Sequence, residues 1–264
     1  MSDVPRKRII QEYYARRASD YDRQKARTWQ ARQGFSDQIL DELFDSLPCL
    51  CGKLVLEVCI GTARTTLPLM KKIKPCLIGL DLSREMLEIA KSKLSSYKKH
   101  VNLILGDAEH LPFKNNAFTA IVCTSALHYF QHPERSLEEF SRILMRKGIF
   151  VHGDLTLHES DSKRFLDRLE KTISPAHASY SKSSEIKKML KTKGFHISTI
   201  NTICYSKTFN SLAEDKGKYF NITLETLKAF VNAVSENEKK LYSVKDNELT
   251  LFYTLIQSWK KKAQ

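Results

Sequence analysis

The stretch that decides the fold is residues 54–63, LVLEVCIGTA, in which a short apolar run passes directly into a turn of small residues. Apolar, β-branched residues favour buried strands, so residues 54–58 are predicted to form one. Residues 62–73 have helical character, and LIGLD at 77–81 predicts the next strand. A strand, a helix and a second strand in this order predict a parallel pair joined by a right-handed crossover.

The same alternation continues along the chain, and it predicts five more strands. After 54–58 and 77–81, strands are expected at 101–106, 118–124, 148–155, 195–205 and 248–258. Helices are expected at 83–97, around 137–144 with Gly148 as the stop, and at 183–193 with Gly194 as the stop. The predicted fold class is α/β, a doubly wound, mostly parallel sheet of seven strands, with the last strand beside the 195–205 strand at one edge.

Two segments lie outside this alternation. Residues 8–32 are polar, aromatic and rich in helix formers, and the apolar positions of 39–47 follow at helical spacing, so two helices are expected before the first strand. Residues 206–246 form an insertion before the last strand, with a helix predicted from 224 to 241. The predicted domains are therefore 1–47, an N-terminal helical segment, and 48–264, the α/β domain.

Composition limits the class of protein. The chain has 264 residues, of which 42% are hydrophobic and 28% are charged, and these values are typical of a folded, soluble domain. The longest stretch without charged side chains, 115–133, contains Asn, Gln, His and Pro, so no membrane span is expected. The basic N-terminus continues into polar residues rather than an apolar core, so we expect a cytoplasmic protein with reduced cysteines.

Acidic residues occur at or near the ends of the first three predicted strands. Glu57 lies in the first, Asp81 ends the second, and Asp107, followed by Ala108, comes after the third. Ligands of open α/β sheets bind at the carboxyl edge, where these residues converge. Asp81 follows Gly61 by 20 residues, the spacing at which an acid accepts the hydroxyls of a ribose.

At these residues the chain resembles the class I S-adenosylmethionine-dependent methyltransferases, specifically the ubiquinone/menaquinone-biosynthesis-like (type 11) group. The resemblance covers about residues 13–155. The motifs that carry it are YYARRASDYD (13–22), LVLEVCIGTA (54–63), IGLDLSREMLEIAKSKL (78–94), GDAEHLPFKNNAFTAIVCTSALHYF (106–130) and RILMRKGIF (142–150).

The resemblance implies S-adenosyl-L-methionine as cofactor and assigns roles to individual residues. Glu57 is expected below the methionine moiety, Gly61 at the close turn, Asp81 on the ribose hydroxyls, and Asp107 with Ala108 at the adenine. The segment 1–47 is expected to fold over the cofactor as a lid. The remaining residues expected at the cofactor are Cys59, Ala63, Leu82, Thr124, Tyr14 and Tyr21.

The first motif departs from the family, which usually carries three glycines there. Here the three positions are Cys59, Gly61 and Ala63. A Cβ atom is tolerated at 59 and 63 only where φ is negative. The two side chains are also expected to narrow the space for the methionine carboxylate.

His128 and Tyr129, in the segment SALHYF, are the candidate catalytic residues on the acceptor side. His128 is suited to act as a general base, which a hydroxyl or protonated amine acceptor requires. An alternative is that His128 only caps a strand end. His152, inside a predicted central strand, is expected to be structural. No metal site is predicted, because the Cys49/Cys51 pair lacks a second Cys/His pair at zinc-finger spacing.

The predicted reaction is methyl transfer to a small organic acceptor. Two alternatives remain open. An RNA methyltransferase is suggested by the net charge of +13, although the surplus is divided between the two ends of the chain and no arginine follows Arg168. A non-catalytic scaffold on the same fold is suggested by the lost glycines.

Overall fold

The computed structural model describes residues 4–30, 39, 41–43, 45, 47, 50–220 and 222–261. In that part of the chain seven strands form one sheet. They are β1 (Leu54–Val58), β2 (Cys76–Asp81), β3 (Val101–Leu105), β4 (Phe118–Thr124), β5 (Leu144–Thr156), β6 (Phe195–Thr208) and β7 (Glu248–Lys260).

The order of the strands in the sheet is β3-β2-β1-β4-β5-β7-β6. All pairs from β3 to β5 are parallel, whereas β7 lies antiparallel to both β5 and β6. The sheet is therefore largely parallel with an antiparallel hairpin at one edge. The predicted fold class is confirmed, including the position of β7 beside the edge strand β6.

Helices cover both faces of this sheet. They are α1 (Val4–Gln30), α2 (Thr66–Lys72), α3 (Arg84–Lys93), α4 (Pro133–Ile143), α5 (Phe165–Ile173), α6 (Ser183–Thr192), α7 (Phe209–Phe220), α8 (Leu224–Asn232) and α9 (Glu236–Leu241). Of the second helix expected before β1, Ile39, Leu43 and Leu47 are buried, while Leu40 and Phe44 lie outside the described residues. No helix of the described residues is long and apolar enough to span a bilayer.

The core has one layer on each side of the sheet because side chains alternate along each strand. In β1, Val55 packs into the layer that contains Leu43 and Leu69, whereas Leu56 packs into the layer that contains Phe140. A third apolar cluster joins α5 and the insertion to β7. This packing fixes the strand ends that carry the site.

Two boundary predictions are wrong. The helix around 137–144 ends at Ile143, and Gly148 lies inside β5 rather than stopping the helix. The reason is that Leu144 already pairs with Phe118, and a register shift follows before Ala120 pairs with Ile149. The insertion helix expected at 224–241 is divided into α8 and α9. Ser235 starts the second of these, because its N–H and its hydroxyl both donate hydrogen bonds to Glu238 Oε2.

Two helices, α5 and α7, were not predicted from the sequence. Helix α5 has no clear start or stop in the sequence, whereas α7 begins after Thr208, whose hydroxyl oxygen accepts a hydrogen bond from the N–H of Ser211 at 3.1 Å. The N-cap of α5 is Arg164, which adopts a left-handed conformation and makes no cap hydrogen bond through its side chain; the N–H of Phe165 donates instead to Asp161 Oδ1 at 3.1 Å. Both helices depend on the third apolar cluster, to which they contribute Phe165 and Leu212.

Candidate active site

The turn between β1 and α2 has a left-handed backbone at three alternate residues. The φ angles are 57° at Cys59, 57° at Gly61 and 60° at Ala63. The negative φ at which a Cβ atom is tolerated is therefore not present at Cys59 or Ala63. A non-glycine residue in this region costs about 1–2 kcal/mol, so two residues of this turn are held in strained conformations.

The turn is anchored to β2 by backbone and packing. The N–H of Ile60 donates to the carbonyl oxygen of Leu80 at 3.1 Å. The Ile60 side chain fills the space over Gly79, where an added Cβ would lie only 2.3 Å from Ile60 Cδ1. The glycine in β2 therefore lets the turn approach the neighbouring strand closely.

Asp81 is held at the carboxyl end of β2 by two backbone donors. The N–H of Gly61 donates to Oδ2 at 2.8 Å, and the N–H of Ser83 donates to Oδ1 at 2.9 Å. Burial raises the pKa of Asp81, although these two backbone hydrogen bonds oppose that shift. A carboxylate oxygen accepts more than one hydrogen bond, so this oriented group keeps acceptor capacity for a ligand hydroxyl.

Glu57 lies one strand away and is almost fully buried. Thr66 donates its hydroxyl hydrogen to Oε2 of Glu57 at 2.6 Å. Burial raises the pKa of Glu57 to about 7, with a contribution from the nearby charge of Asp81, while the Thr66 hydrogen bond acts in the opposite direction. Near neutral pH this carboxyl therefore exists in both protonation states.

Asp107 follows β3 and is paired with a lysine from α1. Lys7 Nζ lies 2.6 Å from Asp107 Oδ2 and 3.0 Å from Glu109 Oε2. Burial acts to raise the pKa of Asp107, but the hydrogen bonds from Lys7 and from the Glu109 N–H hold it below its ordinary value. Together with His110, these two acids are the described residues closest to a metal-binding arrangement, and Lys7 already bridges the two carboxylates.

These strand ends surround one cavity of about 1120 Å³, measured with its open mouth. The sequence-predicted residues that line it are Glu57, Cys59, Gly61, Asp81, Leu82, Asp107, Ala108, Thr124, Tyr14, Tyr21 and Tyr129. Ala63 is fully buried beneath the turn and does not line this cavity, so it does not narrow it. His128 does not line it either.

Helix α1 forms the opposite wall of the cavity and touches three of the βα units. Gln11 Nε2 donates to the carbonyl oxygen of Leu82 at 3.1 Å. Asp22 accepts a hydrogen bond from the Thr62 hydroxyl at 2.6 Å and from Lys93 Nζ at 2.8 Å. With the Lys7 bridge to Asp107, these contacts place α1 directly over the strand ends.

Tyr14 and Tyr21 of α1, together with Tyr129 from the segment after β4, form a tyrosine wall of the cavity. The rings of Tyr14 and Tyr129 meet edge to face with centroids 5.4 Å apart, and Tyr14 meets Tyr21 at 6.1 Å. Behind them Arg17 is 1% exposed and donates to the Tyr13 hydroxyl at 2.5 Å. The guanidinium carbon lies 5.0 Å from the Tyr13 ring centroid and 5.5 Å from that of Tyr21.

His128 belongs to a buried pair beside this tyrosine wall. Its Nδ1 lies 2.8 and 2.9 Å from the two carboxylate oxygens of Asp154, and its ring centroid is 4.0 Å from that of Tyr129. Burial acts to raise the pKa of Asp154, but the interaction with His128 lowers it. His152 is buried in β5, and burial lowers its pKa, in agreement with a structural role.

Sequence reasoning missed several residues of this site. Lys7, Gln11 and Arg64 line the cavity, and Arg17 lies behind its tyrosine wall. Asp22 is part of the quoted motif at 13–22, and Glu109 is part of the motif that starts at Gly106, so both could have been noticed there. Arg17 also lies in the motif at 13–22, whereas nothing in the sequence marks Lys7, because its partners Asp107 and Glu109 are far away in the chain.

Comparison with known proteins agrees with this geometry. Residues 55–148 match the family model described as a methyltransferase domain. The uncharacterized methyltransferase YcgJ of Bacillus subtilis is 30% identical over 139 residues, which are 52% of this chain and 54% of that protein. Demethylmenaquinone methyltransferase of Staphylococcus aureus strain JH9 is 35% identical over 102 residues, 38% of this chain and 42% of that protein. The chain thus spans only about half the length of these relatives.

Solved structures extend the likeness to most of the fold. The crystal structure of YcgJ superposes with a TM-score of 0.79 at 23% identity and covers 86% of this chain and 100% of that chain. Geranyl diphosphate C-methyltransferase of Streptomyces coelicolor, solved with S-adenosyl-L-homocysteine, has a TM-score of 0.61 at 17% identity over 85% of this chain and 79% of that chain.

Residues 55–148 thus match a methyltransferase domain, and the fold is that of the solved methyltransferase structures on which the chain superposes.

Proposed function

We propose that this protein transfers the methyl group of S-adenosylmethionine to a small organic acceptor by direct displacement. The observation that carries the proposal is the convergence of Glu57, Asp81 and Asp107, from three successive βα units, on one cavity. A strand-end cap or a surface ion pair explains any one of these acids alone. Three in one cavity, with a left-handed turn at Gly61, match the requirements of an adenosyl ligand.

The residues present fit this cofactor. Asp81 would accept from the ribose hydroxyls, since two backbone N–H groups already fix its orientation. Asp107 and Ala108 would hold the adenine, and Glu57 would lie below the methionine moiety, whose ammonium group favours its ionised form. When bound, the cofactor supplies an activated methyl group. Helix α1 acts in this proposal as the lid that keeps water from it.

On the acceptor side the protein has mainly to align the nucleophile, because displacement at a methyl group depends on in-line geometry. Tyr129 lines the cavity and is the residue we assign to contact with the acceptor. His128 acts from behind it: with Nδ1–H donating to Asp154, Nε2 is left able to accept a proton. The pair thus fixes the position of Tyr129, and His128, which does not line the cavity, acts as a positioning residue.

Calorimetric titration with S-adenosylhomocysteine tests the proposal. We expect one site per chain with micromolar or tighter affinity, and a crystal of the complex should show the ribose on Asp81. The control is adenosine alone, which lacks the amino acid portion and should bind more weakly. Absence of binding would remove the methyltransferase proposal and favour the non-catalytic scaffold.

A further inference from the structure

A second cavity adjoins the one that contains the proposed cofactor site. Its volume is about 1240 Å³, measured with its open mouth. Arg6, Phe130 and Gln131 line both cavities, so the two meet at these side chains. The other walls of the second cavity come from residues 177–181, from the start of α4 and from α6. A ligand in one cavity therefore lies next to a ligand in the other.

Basic side chains outnumber acidic ones in the lining of the second cavity. The basic residues are Arg6, Arg164, Lys171 and Lys188, and the acidic residues are Glu134 and Glu185. Arg164 is already held by Asp167 at 2.6 Å and lies 3.7 Å from Glu185. Lys171 and Lys188 are exposed, and neither has a hydrogen bond or an ion pair with the described part of the chain. These two ammonium groups are therefore available to an anion.

Arg6 places a half-buried charge where the two cavities meet. Its Nη2 donates to the carbonyl oxygen of Ala176 at 3.0 Å and to that of His177. A guanidinium group carries five N–H donors. The hydrogens on Nε and Nη1 have no partner among the residues that the structure describes, so they remain available to a ligand.

Helix α4 begins at the same cavity, because Pro133 and Glu134 belong to the lining. The N-cap residue His132 makes no cap hydrogen bond through its side chain. The N–H groups of a first helical turn carry partial positive charge, and phosphate groups bind at such helix ends. The helix start therefore adds to the attraction that the basic side chains exert on an anion.

His177 lines the second cavity and is 2% exposed. Its Nε2 lies 2.8 Å from Asp167 Oδ1. Burial acts to raise the pKa of Asp167, but the hydrogen bonds from His177 and the Tyr180 N–H hold it below its ordinary value. Burial lowers the pKa of His177 to about 4, although the hydrogen bond to Asp167 acts in the opposite direction.

The imidazole of His177 is therefore neutral near pH 7, and its tautomer follows from its partner. An ionised carboxylate only accepts, so Nε2 carries the hydrogen and Nδ1 keeps a lone pair. Nδ1 is buried and has no hydrogen-bond partner among the described residues. A ligand that satisfies this nitrogen has to supply a hydrogen-bond donor.

We propose that the second cavity binds the phosphate monoester group of a phosphorylated methyl acceptor. This inference rests on the proposed function and names a substrate class for it. The basic side chains and the start of α4 attract the negative charge. A phosphate monoester also holds a proton near neutral pH, because its second pKa is about 6, and this proton is the donor that His177 Nδ1 lacks. The rest of the acceptor reaches the first cavity past Arg6.

Calorimetry at pH 5 tests the proposal with phenyl phosphate and benzenesulfonate as probes. At this pH each probe carries about one negative charge, but only the phosphate has a proton to donate. With the full chain saturated by S-adenosylhomocysteine, we expect phenyl phosphate to bind about tenfold more tightly than benzenesulfonate. Inorganic phosphate, which has no ring to extend into the first cavity, should bind more weakly than phenyl phosphate.

Two variants separate the charge from the hydrogen bond. Lys188→Gln should weaken the binding of both organic anions about threefold, the scale of an exposed ion pair. The matched control is Lys191→Gln, on the same helix but outside the cavity lining, which should bind both anions as wild type does. His177→Gln keeps an N–H for Asp167 but has no atom equivalent to Nδ1, so it should reduce the preference for phosphate over sulfonate to less than threefold.

Four outcomes would overturn the proposal. They are equal binding of phenyl phosphate and benzenesulfonate, inorganic phosphate binding as tightly as phenyl phosphate, wild-type affinity in Lys188→Gln, or an unchanged preference in His177→Gln. If His177→Gln does not fold, the wild-type comparison of the three probes and Lys188→Gln still decide. Normal binding of S-adenosylhomocysteine in the same samples would leave the proposed function standing while this inference falls.

Discussion

The ammonium group of Lys7 lies 2.6 Å from Asp107 Oδ2, which ties the first turns of α1 to the loop after β3. The same ammonium reaches Glu109 at 3.0 Å, and the side chains of both acids are less than one third exposed. One cation thus links the covering helix to the acid that we assign to the adenine.

Replacing Lys7 by Met should weaken the binding of S-adenosylhomocysteine about fivefold at low salt, the scale of a partly exposed ion pair. The loss should shrink at about 0.5 M salt, where screening already weakens the pair in wild type. The matched control is Arg8→Gln, which removes a solvent-exposed pair with Glu12 on the same helix. Calorimetry at both salt concentrations measures the effect, and equal losses in the two variants would contradict it.

Asp81→Ala should cost about 1–3 kcal/mol of affinity for S-adenosylhomocysteine, the scale for losing a charge-assisted acceptor. Thermal unfolding of the variant shows how much of the change comes from the freed N–H groups of Gly61 and Ser83. An affinity equal to wild type in a folded variant would take Asp81 out of the cofactor site.

Glu57 should make the protein less stable as pH rises from about 4.5 to about 7. Its pKa is raised from 4.5 to about 7 in the folded state, so the folded protein holds this proton over a range in which the unfolded chain has released it. The free energy of unfolding should fall by roughly 3 kcal/mol across this window, and Glu57→Gln should flatten that dependence.

Urea unfolding at pH 5 and pH 8 measures this effect. The control is Glu88→Gln, an exposed glutamate on α3, which should keep the wild-type pH dependence. A Glu57→Gln variant that loses stability between pH 5 and pH 8 as steeply as wild type would show that Glu57 is not the group responsible.

Ala63→Gly should be neutral or stabilise the fold by up to about 1 kcal/mol. Glycine relieves the strain of the positive φ of 60° at this position. This relief is expected to exceed the stability that is lost because glycine gives the unfolded chain more conformational entropy. The affinity for S-adenosylhomocysteine should not change, because Ala63 does not line the cavity.

The opposite substitution, Gly61→Ala, adds a Cβ atom that meets no other atom within 4 Å. It should lower the free energy of unfolding by about 1 kcal/mol through backbone strain alone. Chemical denaturation compares the two, and destabilisation by Ala63→Gly would show that the alanine packing outweighs the strain.

The protein should bind transfer RNA only weakly at about 150 mM salt, near physiological ionic strength. Counterion release needs several cations along one phosphate track, whereas the basic surplus is divided between the two ends of the chain. Fluorescence anisotropy with total tRNA measures the affinity. Submicromolar binding that disappears when Arg6 and Arg8 are neutralised would support the RNA alternative.

The sequence predicted those parts of the site that depend on local pattern. Strands with acids at their tips converge wherever the sheet is parallel, so the positions of Glu57, Asp81 and Asp107 follow from periodicity alone. The same reasoning located the edge pair of β6 and β7. Helix α1 was predicted as well, but not which of its side chains reach the cavity.

The remaining features depend on tertiary contacts. Lys7 meets Asp107 across 100 residues of sequence, and the buried Arg17 lies against the rings of Tyr13 and Tyr21 and interacts electrostatically with Tyr129. Positive φ at Cys59 and Ala63 contradicts the local preference of both residue types and persists because the turn is held between β1 and β2. Gly148 has the sequence features of a helix stop. Strand β5 nevertheless begins four residues before it, because Leu144 already pairs with Phe118 of β4.

Helix α1 holds Leu82, Thr62 and Asp107 through contacts spread along its length, and residues within one helix move as a unit. In the proposed function, in which α1 is the lid, release of a nucleoside requires the whole helix to move, because loosening one side chain leaves the other contacts in place. Such motions take microseconds to milliseconds and commonly limit turnover. Rapid mixing should therefore show a burst, in which the first equivalent of product forms faster than all later ones. The amplitude of the burst should equal the number of sites that hold cofactor under a closed helix α1 at the start.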